Sequence, residues 1–170
     1  FEPSAANYYV LTRNICLNNL TARATAYCVA LSGATELGVL NIGSSELGGA
    51  MSQFGRSGEK SRYWTGGDSD AHGMVGMTVD DFIERFNPPF PTHLKMDVDG
   101  LEWPILQGAT RTLADPRLQS AMIELSLTDT EERERALRLL AASGLRFISH
   151  GEVQGTATEK AANHLFERTA

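Results

Sequence analysis

The chain has 170 residues, of which 42% are hydrophobic, so it is long enough to bury the core of one compact domain. Its 21 acidic side chains outnumber the 15 basic ones, and the formal net charge of -6 makes nucleic acids and anionic membranes unfavourable partners. The two cysteines, Cys16 and Cys28, indicate no disulfide framework and fit a reducing, cytoplasmic compartment. No apolar run approaches the roughly 20 residues that span a bilayer.

The amino-terminal segment predicts a helix. Tyr8, Leu11 and Ile15 fall at helical spacing and so place one apolar stripe along its length. Pro3 has a fixed φ that suits the first helical turn. The helix is expected to end near Asn18, which gives it about four turns.

Short strands and a long glycine-rich stretch are expected next. Residues 24 to 31 are small, β-branched or aromatic, as in a buried strand, and residues 37 to 42 could form a second strand. Residues 33 to 76 carry 11 of the 16 glycines, so this stretch is expected to be a loop-rich excursion. Loops of this length inside a compact domain are usually functional.

The second half of the chain alternates helices and strands. Thr78 opens a helix with a capping arrangement to Asp81, and prolines end that helix. A strand, a tight turn and a helix seeded by Pro104 follow, and Thr128 with Glu131 is expected to cap a later helix. The pattern predicts an α/β fold with a mostly parallel sheet and a terminal antiparallel hairpin. The expected strands are residues 93 to 98, 120 to 127, 145 to 150 and 163 to 169.

The segment KMDVDGLEW has the densest group of polar side chains at a predicted strand end. Asp97, Asp99 and Glu102 converge around Gly100, where a ligand could approach the backbone. Clustered carboxylates could serve as general bases, bind substrate hydroxyls or hold a cation. The alternatives are that Asp97 only ends the strand and that Glu102 only favours a first helical turn. Glu124, inside an apolar run, either reaches solvent or belongs to the site.

Two further regions contain candidate residues. Glu2 stands before a helix, where dinucleotide-type sheets place an acid that binds ribose hydroxyls about 20 residues after a glycine-rich turn. A Glu that only favours the helix dipole is the alternative. The glycine-rich stretch could form a substrate-binding lid, since its side chains combine flat faces with polar tips. Metal binding there is the less favoured reading, because Gly, Ser and Asp form turns. The lid candidates are Tyr63, Trp64, Asp68, Asp70 and His72.

Several segments, taken in order, resemble the motifs of FkbM-type methyltransferases. In that family an FEP segment closes the second strand, and a KxDxEG segment with a following acid forms the fourth strand and its helix. The resemblance spans nearly the whole chain and is most specific in its central block. The matching segments are FEPSAANYYVLTRNICLNN, CVALS, MTVDDF, HLKMDVDGLEWPILQGATRTL, AMIEL and NHLFER.

The resemblance implies a Rossmann-like class I methyltransferase fold with S-adenosylmethionine as the methyl donor. It implies that Glu2 holds the cofactor ribose and that Ala30, Leu31 and Ser32 border the adenine. It also implies that Asp97 faces the methyl-transfer region and the cofactor. The methyl acceptor would be a hydroxyl oxygen on a sugar, a polyketide or a similar small molecule.

A hydroxyl acceptor needs a group that promotes the loss of its proton, and Asp97 and Asp99 are the catalytic candidates for that task. Substrate contacts are expected from a second set of side chains, and no metal site is expected. That set consists of Glu102, Glu124, Trp64 and His72.

The chain departs from the family pattern at three places. The glycine-rich first motif has no counterpart, position 99 is Asp where Glu is usual, and Val79 replaces the usual Leu. We therefore expect residues 1 to 170 to be a single, partial methyltransferase domain of a longer protein, with the glycine turn before residue 1. This piece alone is expected to bind the cofactor weakly or not at all.

Two alternative functions come from other classes. Asp97, Val98 and Asp99 form a DxD triplet, as in glycosyltransferases that bind a nucleotide sugar through a divalent metal, although such a short motif arises easily by chance. A catalytically inactive methyltransferase-like domain that serves as a binding module is the other alternative.

Overall fold

The computed structural model describes residues 1–44, 46–49, 52–55, 71–98, 100–156 and 160–169. The chain divides into two compact units, Phe1–Met77 and Thr78–Ala170. Both contain helices and strands, so the expected α/β class is confirmed. Within the described ranges, no helix is long and apolar enough to cross a membrane.

The first unit is one helix and a four-stranded sheet in the part that is described. The sheet order is β1-β4-β2-β3, in which β1 and β4 are parallel and the other neighbours are antiparallel. Ala30, Leu40 and Phe54 form its buried core. The elements are α1 (Ala5–Leu17), β1 (Ala30–Leu31), β2 (Glu36–Asn41), β3 (Gln53–Gly55) and β4 (Ala71–Met77).

Helix α1 confirms the helix expected in this segment. Ser4 is its N-cap, and the Ser4 hydroxyl accepts a hydrogen bond from the Asn7 backbone N–H at 3.5 Å. Pro3 therefore precedes the cap, and the expectation that it lies in the first turn was wrong by two positions. The helix ends at Leu17 with Asn18 as its C-cap, close to the predicted end.

The glycine-rich stretch is more regular than predicted. It contains β2, where a strand was considered, but also β3 and β4, where a loop was expected. The physical reason is visible at Gly38 and Gly76, where the ring of Phe54 lies so close that any added Cβ would collide with it. The missing side chains thus make room for an aromatic ring between neighbouring strands. The expected strand at residues 24 to 31 shrinks to its last two residues.

The second unit contains four helices and five strands in its described residues. The sheet order is β5-β6-β9-β7, and β8 pairs with β9 outside that path. Strands β5 and β6 are parallel, whereas β9 is antiparallel to β6, β7 and β8. The elements are α2 (Val79–Phe86), β5 (His93–Met96), α3 (Glu102–Gln107), α4 (Thr110–Ala114), β6 (Ser120–Ser126), α5 (Thr130–Ala142), β7 (Leu145–His150), β8 (Gln154–Gly155) and β9 (Lys160–Arg168).

The closing antiparallel pair is confirmed by β7 and β9. The expectation of a mostly parallel sheet was wrong for the described strands, where parallel pairing joins β1 to β4 and β5 to β6. The reason is that the stretch predicted to be loop supplies antiparallel strands to the first unit.

The helix expected after Pro104 is divided into α3 and α4. Asp80 accounts for the break, because its backbone N–H donates to the Gly108 carbonyl at 3.0 Å. Its carboxylate then accepts the backbone N–H groups of Arg111 and Thr112, each at 2.9 Å. These are N–H groups of the first turn of α4, so Asp80 provides the cap that this helix lacks in its own sequence.

The two other predicted caps have different outcomes. The Thr78 hydroxyl accepts the Asp81 N–H at 3.0 Å, which confirms the cap of α2. The cap of α5 is displaced by one residue, because Asp129 accepts the Glu132 N–H at 3.0 Å. Asp129 is held in place by Ser126, whose hydroxyl accepts its backbone N–H at 3.0 Å.

Candidate functional site

The end of β5 presents an accessible ion pair. Lys95 and Asp97 lie two residues apart, and the Lys95 ammonium donates to Oδ2 of Asp97 at 2.8 Å. Each side chain is 47% exposed. The same ammonium donates to Oδ1 of Asn163 on β9 at 2.5 Å. Asp97 is therefore a carboxylate that is oriented by a cation and still accessible to a small molecule.

The turn after β5 is closed by a buried carboxyl group. Glu102 is 5% exposed, and its Oε1 accepts the backbone N–H of Val98 at 3.1 Å. Gly100, between them, has a φ of 94°, a conformation that glycine adopts without steric cost. Asp97 is the residue just before the segment that this hydrogen bond closes.

The surroundings of Glu102 disfavour its charged form. Burial is the main cause that raises its pKa from 4.5 to about 7, and the negative charges of Glu124 and Glu132 act in the same direction. The hydrogen bond from Val98 opposes the shift without cancelling it. Glu102 therefore exchanges a proton close to neutral pH.

Glu124 and Asn163 lie near this turn because of strand register. Met96, the last residue of β5, pairs with Ile123 of β6, and Glu124 is the next residue along that strand. Glu124 pairs in turn with Asn163 of β9. Ligands of α/β sheets bind at the carboxyl ends of parallel strands, and β5 and β6 end side by side here.

Of the candidates in the second unit, the structure brings together Asp97, Glu102 and Glu124 around the end of β5. Asp99 lies outside the described residues, so its catalytic role stays a prediction. Among the side chains that are described, no group of three His, Cys, Asp or Glu residues could hold a metal ion.

Apart from Asp97, whose cofactor contact stays a prediction, the cofactor candidates lie in the first unit. Glu2 has its backbone N–H bonded to the Tyr27 carbonyl at 3.0 Å, and its Oε1 accepts the backbone N–H of Ser4 at 2.8 Å. The hydrogen bond to Ser4 supports the alternative in which Glu2 favours the start of α1. Ribose binding by Glu2 stays a prediction. Ala30 and Leu31 form β1, and the Ser32 N–H donates to the Met77 carbonyl at 2.8 Å.

The structure describes one of the lid candidates, His72. His72 lies in β4 opposite Leu40, and its Nε2 is buried and lacks a hydrogen-bond partner among the described residues. Trp64 lies outside the described ranges, as do Tyr63, Asp68 and Asp70. Substrate contact by Trp64 and His72 stays a prediction.

Sequence reasoning did not single out Lys95 or Asn163. A signal for Lys95 was present, because residues two apart on a strand share a face and Lys95 precedes Asp97 by two. Asn163 belongs to the NHLF segment, but its meeting with Lys95 depends on β9 pairing beside β6, which no local pattern reveals. His164 was also missed. It is buried against Phe147 and Phe166, and burial lowers its pKa.

Comparison with known protein families adds the decisive observation. The sequence model of the methyltransferase FkbM domain matches residues 1–153. The chain belongs to the FkbM methyltransferase family. The matched range of this FkbM chain includes Asp97 and the candidate residues of both units. Membership of the family suggests methyl transfer as the activity. No curated protein and no solved structure gave a significant match to this FkbM chain. The comparisons give the nucleotide-sugar and binding-module alternatives no better support.

Proposed function

We propose that this FkbM family member transfers a methyl group from S-adenosylmethionine to a hydroxyl oxygen of a sugar or another small molecule. The observation that carries the proposal is the Asp97 carboxylate, which lies at the end of β5 within the family match. It is half-exposed and held by Lys95, so it can receive a proton from a bound hydroxyl group.

The residues expected to hold the cofactor have suitable chemistry. Glu2 offers a partly exposed carboxylate, which can accept hydrogen bonds from ribose hydroxyls in addition to that from Ser4. Ala30, Leu31 and Ser32 end a strand in the same unit and could border a flat base. The parallel pair of β5 and β6, joined through α3 and α4, supports a Rossmann-like class I arrangement.

When bound, the cofactor would supply an electrophilic methyl carbon on a sulfonium, and the acceptor oxygen would form a carbon–oxygen bond as the carbon–sulfur bond breaks. Asp97 then takes the proton that the acceptor hydroxyl loses. Lys95 keeps the Asp97 carboxylate oriented through the 2.8 Å contact, so that Asp97 is positioned before the acceptor arrives. We propose Asp99 as a second candidate for this proton, and Glu124, Trp64 and His72 for contacts with the acceptor.

The direct test combines binding and transfer on the whole chain. Calorimetry should show binding of S-adenosylhomocysteine, and radiolabelled S-adenosylmethionine should label members of a panel of sugars and polyketide alcohols. Thermal stabilisation by a nucleoside diphosphate with Mn²⁺, and none by S-adenosylhomocysteine, would instead support the nucleotide-sugar alternative.

Replacement of the proposed proton acceptor should separate catalysis from binding. Because Asp97→Asn removes a proton acceptor that is half-exposed, we expect a loss of about 100-fold or more in turnover and a smaller loss of cofactor affinity. Glu134→Gln is the matched control, since Glu134 is also an exposed carboxylate paired with a cation, Arg138. If Asp97→Asn turned over as fast as Glu134→Gln, Asp97 would not be the base.

A further inference from the structure

A hydrogen bond joins the two ends of the turn that follows Asp97. Glu102 reaches back four residues, and its Oε1 accepts the Val98 N–H at 3.1 Å. Gly100, between Val98 and Glu102, has a positive φ that glycine adopts without steric cost. The peptide between Asp97 and Val98 is thereby anchored at its N–H, which limits the directions in which the Asp97 side chain can point.

Glu102 is poorly placed to act on a substrate itself. Its side chain is 5% exposed, which leaves almost no surface for a second molecule. Helix α3, which begins at Glu102, packs against β6 and α5. These two elements contribute Glu124 and Glu132, whose negative charges oppose ionisation of the Glu102 carboxyl.

The hydrogen bond to Val98 can form in either charge state of Glu102, although it is stronger when the carboxyl group is ionised. The pKa of this carboxyl is raised to about 7, mainly by burial, so both protonation states are populated near neutral pH. A protonated carboxyl keeps an oxygen that accepts a hydrogen bond, as does the amide of a glutamine side chain.

We propose that Glu102 is the positioning residue of the Asp97 turn, and that it acts through an acceptor oxygen of the right reach rather than through its charge. The inference rests on the proposed function, in which Asp97 receives the acceptor's proton. It replaces the expected substrate contact of Glu102 with a contact to the backbone next to the reacting group.

Two substitutions separate reach from charge. Glu102→Gln keeps the reach and removes the charge, whereas Glu102→Asp keeps the charge and shortens the side chain by one methylene. The readout is amide hydrogen exchange of Val98, measured by NMR on the whole chain. We expect Val98 exchange to be at most about threefold faster than in wild type for Glu102→Gln, and about tenfold faster or more for Glu102→Asp.

The amide of Ile123 in the centre of β6 serves as the control for general unfolding, because Ile123 is fully buried. If Glu102→Asp also accelerates exchange at Ile123, that variant is globally destabilised. The exchange of Val98 in Glu102→Gln then tests the proposal by itself. Faster exchange at Val98 in Glu102→Gln, or unchanged exchange in a folded Glu102→Asp, would overturn the proposal.

The NMR chemical shift of the Val98 amide tests the same contact in proteins in which the contact is intact. In the wild type, the Val98 amide shift should follow the ionisation of Glu102, with a midpoint near pH 7. In Glu102→Gln this transition should vanish while the slow exchange remains. A Val98 shift that titrates identically in both proteins would show that Glu102 does not contact this amide.

Methyl transfer to the acceptor panel completes the test. We expect Glu102→Gln to keep turnover within about threefold of wild type from pH 6 to pH 8, and Glu102→Asp to lose about tenfold. Loss of turnover in Glu102→Gln with Val98 exchange unchanged would make Glu102 a proton acceptor and overturn the inference. If the wild type transferred no methyl group, the proposed function would fail, whereas the exchange data would still decide whether Glu102 fixes the turn.

Discussion

Asp97 and Glu102 are two carboxyl groups five residues apart in opposite surroundings. Asp97 is 47% exposed and contacts the Lys95 ammonium, whereas Glu102 is buried near two other acids. Environments of this kind give neighbouring carboxyl groups different tasks at one pH. The first can take up a proton from a small molecule, and the second can hold backbone without carrying a full charge.

The raised pKa of Glu102 predicts how stability depends on pH. Because that pKa rises from 4.5 in the unfolded chain to about 7 in the folded chain, the folded state binds more protons between these values. The contribution of Glu102 to the free energy of unfolding is complete below pH 4.5, declines above it, and is lost once the pH passes 7. Glutamine stays neutral, so the stability gained by Glu102→Gln relative to wild type should grow from about 1 kcal/mol at pH 5 to about 3 kcal/mol at pH 8.

Urea denaturation at a series of pH values measures this difference. Glu134→Gln is the control, because Glu134 is exposed on α5 and its replacement should leave the pH dependence parallel to that of the wild type. Parallel curves for wild type and Glu102→Gln would mean that the Glu102 carboxyl is not shifted in the folded chain.

Sequence alone could locate these acids but could not separate their roles. The segment KMDVDGLEW shows carboxylates after a strand, which was enough to predict a site around Asp97. The burial of Glu102 arises from α5 and β6, and two of its perturbing charges lie at Glu124 and Glu132, more than twenty residues away. A local pattern contains no information about such neighbours.

At the scale of single elements, the periodic segments were predictable and the interrupted ones were not. The boundaries of α2 and β6 follow from caps and alternation within a few residues. The division between α3 and α4 follows from Asp80, which lies about thirty residues earlier and binds the Arg111 and Thr112 N–H groups. A helix capped by a distant side chain gives no signal in its own sequence.

The glycine-rich strands illustrate a second limit. Glycine reduces strand propensity, so residues 33 to 76 indicated a loop, yet β2 and β4 pair over six residues each. The glycines make room for the Phe54 ring at Gly38 and Gly76, and this complementarity appears only after β3 has paired with β2.

A methyl group at Gly76 should therefore disrupt the first unit. A Cβ built at this buried position overlaps Cε1 of Phe54, with Cζ at 2.5 Å, and aromatic rings in a core cannot move freely. We expect Gly76→Ala to lower the free energy of unfolding by about 1 to 3 kcal/mol. Chemical denaturation, followed by the circular dichroism of the backbone, measures the change in the free energy of unfolding.

Gly73→Ala is the matched control for this experiment. Gly73 lies in the same strand, and a Cβ there meets no heavy atom within 4 Å in the part of the chain that is described. Because alanine restricts the unfolded chain more than glycine does, Gly73→Ala should be neutral or slightly stabilising. Equal destabilisation by both substitutions would show that Phe54 is not the cause.

At the scale of the whole molecule, the order of the motifs was more informative than any single one. The segments from FEP to AMIEL predicted the FkbM family, and the match over residues 1–153 confirms it. The division into two compact units was not predictable, because it depends on which strands pair and not on any break in composition.

Arg168 joins the distant parts of the second unit. Its guanidinium donates to the carbonyls of Leu118, Ser143 and Leu113, at 2.7, 2.7 and 2.6 Å respectively. These three carbonyls lie at the ends of three different segments. Arg168→Met keeps much of the apolar stem but leaves these carbonyls without their donors. We expect a loss of about 2 to 4 kcal/mol in the free energy of unfolding, measured by denaturant titration.

Arg138→Met provides the comparison, because Arg138 is exposed and bonds to Glu134 one helical turn away. Exposed pairs of this kind contribute about 0.5 kcal/mol, so this variant should stay close to wild type. If Arg168→Met were as stable as Arg138→Met, the three carbonyl contacts would not hold the unit together.

The contact between Lys95 and Asn163 has a consequence for protein engineering. Asn163 lies on β9, beyond residue 153, where the family match ends. A chimera that transplants the Asp97 turn with its own helices would leave this partner behind, and the ammonium of Lys95 would lose its contact with Asn163. A transplanted segment that keeps the contact between Lys95 and Asn163 must therefore extend to β9.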